Sequence, residues 1–161
     1  MKACVRTDNM SGTVLGKDLV SAKYKVSTTE TAIENGNIVV IGGLLDGERE
    51  VRLASTPAVN SAFDTLALVA SEEIVKDKQY NSLGDFENKA GDIIRCYRLR
   101  KGDIFSVTAE ALSGTLTNAV GKIVEAQADT KMKVVASLTE GSTQIGKIIA
   151  VEGNWYVIEV A

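Results

Sequence analysis

Residues 85–111, with the sequence DFENKAGDIIRCYRLRKGDIFSVTAEA, carry the clearest fold signal in the chain. This stretch predicts two strands, over residues 92–99 and 103–111, joined by the tight turn Arg100-Lys101-Gly102. Each strand starts with Gly-Asp-Ile and a further apolar residue. Glycine supplies the positive φ of a tight turn, the Asp side chain bonds to the turn backbone, and β-branched residues suit a pleated strand. We therefore predict a hairpin at the centre of a β protein.

The second of these strands alternates in polarity. Successive residues fall on opposite faces of a strand, so three small or apolar residues share one face and three polar residues share the other: Phe105, Val107 and Ala109 against Ser106, Thr108 and Glu110. This pattern predicts a strand with one face in the core and one face toward solvent.

Turn signals recur along the rest of the chain. Asn35-Gly36 and Asp46-Gly47, each flanked by apolar residues, are strong hairpin signals, and the chain has 14 Gly but a single Pro. Further strands are predicted near residues 38–41, 48–54 and 66–70, and strand pairs over 121–128 with 131–138 and over 144–151 with 155–160. Residues 71–81 are charged and irregular, and residues 82–90 suggest a helical turn. The sequence therefore predicts a mainly β protein, a compact β-barrel or β-sandwich of about eight short strands.

The first 34 residues differ in composition from the rest. Their apolar residues are isolated, and only residues 22–27 alternate as a strand does. A segment of this kind buries little apolar area against its ordering entropy, so we predict an extended N-terminal arm over residues 1–34 and a barrel or sandwich domain over residues 35–161. The alternative is a frayed terminus with one edge strand. If the arm docks on a partner, its apolar side chains form the candidate binding residues: Val14, Leu15, Leu19, Val20 and Tyr24.

Catalytic chemistry has little support in the sequence. The absence of histidine excludes Ser-His-Asp and Cys-His catalysis, a His general base and His-ligated zinc. The two cysteines, Cys4 and Cys96, are too few for an all-cysteine metal site, and they are predicted to be buried thiols. No phosphate-binding glycine motif is present. We expect no enzymatic activity, no cofactor and no metal.

Charge and hydropathy narrow the possible partners. The formal net charge is −3, which argues against general affinity for nucleic acid, and the apolar runs are far shorter than the roughly 20 residues that span a bilayer. A local basic run with one aromatic residue (Arg95, Tyr97, Arg98, Arg100, Lys101) leaves three interpretations open: a solvated turn, a contact for an acidic protein surface, or a nucleic-acid face.

Four segments together resemble a known family. They are residues 34–40 (ENGNIVV), 44–51 (LLDGEREV), 85–91 (DFENKAG) and 98–108 (RLRKGDIFSVT). In this order they resemble the small capsid decoration proteins of tailed bacteriophages, also called cement or head auxiliary proteins. The resemblance extends over residues 34–161 and includes no catalytic signature.

The resemblance implies a structural protein of the virion. Such a protein binds the outer surface of an assembled head, contacts the major capsid protein and stabilises the contacts between capsid subunits. It is located in the host cytoplasm during assembly and then on the capsid surface, and a homo-oligomer, with a trimer favoured, is a common form. The alternatives are another phage head or tail component and a barrel that binds nucleic acid or carbohydrate around Arg95, Tyr97, Arg98 and Arg100.

Overall fold

The computed structural model describes residues 1–74 and 82–161. Within these residues thirteen strands form two sheets, and only short helical turns interrupt them. The strands in chain order are β1 (Val5–Asn9), β2 (Leu19–Val26), β3 (Thr29–Glu30), β4 (Ile38–Leu44), β5 (Val51–Ser55), β6 (Leu66–Val69), β7 (Ile94–Arg98), β8 (Ile104–Thr108), β9 (Leu112–Gly114), β10 (Ile123–Gln127), β11 (Asp129–Val135), β12 (Gln144–Glu152) and β13 (Trp155–Val160). The prediction of a mainly β protein is confirmed.

The first sheet is a half-barrel of seven strands. Their order is β1-β8-β13-β12-β10-β11-β9, and every pairing is antiparallel except the parallel pair β9 and β11. The predicted pairs β10 with β11 and β12 with β13 are both present. The edge strand β1 pairs only with β8, so backbone hydrogen bonds rather than buried side chains hold most of it.

The second sheet closes into a five-stranded barrel. Its strands follow the order β2-β5-β4-β6-β7, and β7 pairs with β2 to complete the ring. The two-residue strand β3 lies outside the ring and pairs antiparallel with the end of β2. Because β2 runs parallel to β5 and antiparallel to β7, the chain enters β2 at the same end of the barrel where β7 ends.

Strands β4 and β6 join the two sheets, because each contributes side chains to two cores. Val39 and Ala67 point into the barrel, whereas Ile38, Leu66 and Leu68 pack against the half-barrel. All four residues of β6 are buried, which explains why this strand reads as a continuous apolar run in the sequence.

The central stretch is not a hairpin. Both strands and the turn are present, although the second strand ends at Thr108 and Ala109–Ala111 form a 3₁₀ turn instead. Gly102 has φ +87°, and the backbone N–H of Asp103 donates to the carbonyl of Arg100 at 3.0 Å. However, β7 pairs with β6 and β2 in the barrel, whereas β8 pairs with β1 and β13 in the half-barrel. The turn is therefore the crossover between the two sheets.

Strand β8 is also more enclosed than its alternation predicts. Phe105 and Val107 lie in the core, but Ser106 and Thr108 on the opposite face are buried too. Both polar side chains have hydrogen-bond partners in the N-terminal segment: the hydroxyl of Ser106 donates to Asp8, and that of Thr108 accepts the backbone N–H of Cys4.

The count of eight strands and the extended N-terminal arm are not confirmed. Strands β1 and β2 lie within the first 34 residues, and strands as short as β3 and β9 give little sequence signal. The division into residues 1–34 and 35–161 remains a prediction; strands from both ranges pair within each sheet.

The helical turn predicted in residues 82–90 is present at Leu83–Asp85. Of the predicted irregular segment 71–81, residues 75–81 lie outside the described residues.

Candidate partner-binding surface

The segment between β1 and β2 forms an exposed apolar tip. It consists of a helical turn, Ser11–Val14, and a 3₁₀ turn, Gly16–Asp18. Val14 is 84 % exposed and Leu15 is 46 % exposed. Single exposed apolar side chains are common on protein surfaces, but these two are adjacent in sequence on one anchored segment, which makes them a candidate docking contact. We call residues 11–18 the tip.

One end of the tip is fixed to the crossover turn by a buried carboxylate. Oδ1 of Asp103 accepts hydrogen bonds from the backbone N–H and the hydroxyl of Ser11, at 2.9 and 2.6 Å. Its Oδ2 accepts the backbone N–H of Arg100 at 2.9 Å. Asp103 is buried, so these bonds are protected from water and hold the tip against the turn.

The other end of the tip is fixed by an ion pair. Arg100 donates from Nε and Nη2 to Oδ1 of Asp18, at 3.0 and 2.6 Å. The Asp18 side chain is 1 % exposed, whereas that of Arg100 is 45 % exposed. Hydrogen bonding from Arg100 lowers the pKa of Asp18, despite the opposing effect of burial. The carboxylate therefore stays ionised, and both ends of the tip depend on the same turn.

Close packing completes the support of the tip. Gly12 is buried against the ring of Tyr97, and a Cβ at this position would lie 2.7 Å from Cδ1 of that ring. Real Cβ atoms do not approach this closely, so a larger residue would push the helical turn away from β7. The tip is thus a preorganised feature, which reduces the entropy lost on binding.

The five predicted binding residues divide into two groups. Val14 and Leu15 are exposed on the tip, and Leu19 is half-buried at the start of β2. Val20 and Tyr24 belong to the core of the barrel, and the hydroxyl of Tyr24 lies 2.7 Å from that of Thr56. Because β2 is a central strand of a closed barrel, alternate side chains must point inward. The binding prediction now depends on Val14 and Leu15.

The basic run does not form an open groove. Arg95 pairs with Glu72 at 2.9 Å, Arg98 donates to the carbonyl of Asp64 at 3.2 Å, and Arg100 holds Asp18. Tyr97, the one aromatic residue of the run, packs against the core shared by the two sheets. The arginine side chains therefore have structural partners, while Tyr97 is half-buried and lines a small surface pocket with Arg95, Glu72 and Glu73.

Two segments of the resemblance meet at the opposite end of the barrel. Asn88 donates to Oδ1 of Asn35 at 3.1 Å, and both side chains are buried. Nearby, Nζ of Lys2 lies 3.5 Å from Glu34 and 3.1 Å from Glu87. The segments ENGN and DFENKAG are therefore parts of one polar junction that fastens the loop before β7 to the turn before β4.

Sequence reasoning missed the two residues that fix the tip. Asp103 carries a signal, because a Gly-Asp pair marks a turn, but nothing in the sequence predicts that it also binds Ser11. Asp18 lies in a polar stretch without periodicity, and its partner is 82 residues away. Such a long-range ion pair has no local signature.

Outside this surface, the described residues include two free thiols and a contact between a guanidinium and an indole ring. Cys4 and Cys96 are free and buried, as predicted, and burial raises the pKa of both thiols. Trp155 is half-buried beneath the guanidinium of Arg6, 3.9 Å from the ring centroid, while Tyr156 packs on the core. Among residues 1–74 and 82–161, no cluster of three or more potential metal ligands is present. In the same part of the chain, no helix has the length and hydropathy to cross a membrane.

No protein-family model, curated protein or solved structure matches this chain.

Proposed function

We propose that this protein is a structural protein of a tailed-phage virion that binds the outside of the assembled head. The resemblance of residues 34–161 to capsid decoration proteins gives the class. The major capsid protein is then its partner, and the contact stabilises neighbouring capsid subunits. The capsid surface is its final location, after a period in the host cytoplasm.

One observation supports a particular contact surface: Val14 is 84 % exposed on the tip, and buried carboxylates anchor both ends of the tip. Burying a Val or Leu side chain contributes about 1.5–3 kcal/mol. A single contact of this size is weak, but many copies on a repeating lattice act together, so decoration does not need a large interface for each copy. A trimer, which the resemblance favours, would add further avidity.

The experiment is co-sedimentation with empty heads assembled from the major capsid protein of the same genome. We expect wild-type protein to saturate the heads and Val14→Asp to bind at least about tenfold less tightly, since about 1.4 kcal/mol is a factor of ten. Val120→Asp is the matched control, because Val120 is also exposed, at 60 %, and lies in the half-barrel before β10. It should bind like the wild type.

Two results would count against the proposal. If the wild-type protein does not sediment with the heads, the function is wrong. If Val14→Asp and Val120→Asp bind equally well, the protein uses a surface other than the tip. Far-UV circular dichroism of each variant checks that both remain folded.

A further inference from the structure

The tip lies between two turns of opposite charge. Strand β2, which follows the tip, has β5 on one side and β7 on the other. The turn that leads into β5 exposes three carboxylates, Asp46, Glu48 and Glu50, and one cation, Arg49. The turn that leaves β7 exposes Arg100 and Lys101. The barrel end that carries the tip is therefore acidic on the β5 side and basic on the β7 side.

Two carboxylates lie at the base of the tip, away from the surface that a partner would contact. Asp18 and Asp103 are buried, and their oxygens accept bonds from Arg100 and Ser11. By contrast, Lys17 on the tip and Lys101 on the crossover turn are exposed. Asp64, whose charge acts on Arg100, is exposed as well, so beside Val14 and Leu15 on the β7 side two exposed lysines stand against one exposed carboxylate.

From this arrangement we propose that the tip docks on a protein surface with an apolar centre and carboxylates along one side. Val14 and Leu15 fill the apolar centre, while Lys17 and Lys101 face the carboxylates. This proposal rests on the proposed function and gives the chemistry of the capsid patch. Complementary charges mainly raise the association rate and fix the orientation, whereas the buried apolar contacts provide affinity.

A protein surface fits this arrangement better than a nucleic acid does. Single-stranded nucleic acid needs aromatic platforms and a continuous basic groove. Here the exposed centre is aliphatic, Tyr97 is packed against the core, and the net charge of the chain is −3. The acidic turn on the β5 side would also repel a phosphate backbone that crossed the barrel end.

The test measures binding of the double variant Lys17→Glu with Lys101→Glu to the same empty heads. At about 50 mM salt we expect binding at least about tenfold weaker than that of the wild type, and a smaller difference at about 200 mM, because salt screens exposed charges. The matched control, Lys89→Glu with Lys147→Glu, makes the same change in net charge at two exposed lysines away from the tip. It should stay within about twofold of the wild type.

The outcomes separate this proposal from the proposed function. If the wild type sediments with heads and the Lys17→Glu, Lys101→Glu variant binds equally well, the acidic patch is wrong and the function stands. If the wild type does not bind heads, both fail. If the wild type retards a single-stranded DNA oligonucleotide at about 50 mM salt and the double variant does not, the cations serve nucleic acid, and the acidic protein patch is overturned.

Discussion

Asp18 and Asp103 determine the shape of the proposed binding surface, although neither touches the partner in our proposal. Each is a buried carboxylate whose hydrogen bonds come from the tip or the crossover turn. A buried charge without partners is costly, so these bonds make one position of the tip strongly preferred. The exposed residues Val14 and Leu15 contribute little to folding and remain available for binding.

Replacement of Arg100 by Met tests this support. It leaves the carboxylate of Asp18 buried without its cation, and we expect a larger loss in the free energy of unfolding than removal of a fully exposed ion pair causes. The control is Arg95→Met, which removes an ion pair with both partners exposed and should cost less than about 1 kcal/mol. Urea denaturation measures both, and equal effects would contradict the role given to Asp18.

The same ion pair predicts a dependence of stability on pH. The pKa of Asp18 is lowered in the folded state, chiefly by the hydrogen bonds from Arg100. The contribution of Asp18 to the free energy of unfolding is therefore fully present above its pKa in the unfolded chain, about 3.9. It is lost as the pH falls through the lower pKa of the folded state. Asp18→Asn should unfold with a shallower pH dependence below about pH 4 than the wild type.

The effect of Asp18 is the difference in stability between the wild type and Asp18→Asn at each pH. Glu110 and Glu125 also have lowered pKa values, so the wild type and Asp18→Asn both lose stability in acid. Urea midpoints at a series of pH values give the two curves. Parallel curves would show that Asp18 does not contribute.

At the level of elements, the sequence predicts local structure well and partners poorly. Residues 92–111 contain the two predicted strands and the turn, because Gly-Asp pairs and β-branched residues determine the backbone conformation of their own segment. Which strand lies beside β7 or β8 depends on contacts that are distant in the sequence, such as Ala22 with Ile94 and Val5 with Val107. For this reason the apparent hairpin is the crossover between two sheets.

The extended arm over residues 1–34 is not confirmed, for a related reason. Edge strand β1 needs little apolar surface, since its backbone bonds to β8, and four of its five residues are exposed. Strand β2 alternates with the period of a strand, but its outward residues Ser21, Lys23 and Lys25 give it the appearance of an edge strand, although it lies within a closed ring. Of the candidate binding residues, Val14 and Leu15 are exposed, whereas Val20 and Tyr24 are buried.

Deletion of residues 1–20 gives an element-level prediction. It removes β1, the tip and the start of β2, together with the buried residues Ala3, Met10 and Asp18. The barrel loses part of a central strand, so we expect no cooperative thermal transition by circular dichroism. Val14→Asp should instead keep the wild-type midpoint. A truncated protein with a wild-type transition would show that this segment is a separable arm.

At the scale of the whole molecule, two cores share β4 and β6, and the tip projects from one end of the barrel. The polar junction of Glu34, Asn35, Glu87 and Asn88 lies at the other end. If the protein decorates a capsid as we propose, this arrangement gives it a defined direction, with the tip toward the shell and the junction away from it.

Electron cryo-microscopy of heads decorated with the full chain tests this account most directly. We predict density in which Val14 and Leu15 lie within about 4 Å of the major capsid protein, with Lys17 and Lys101 beside capsid carboxylates. Density that places the tip in solvent and the Glu34–Glu87 end on the shell would contradict it.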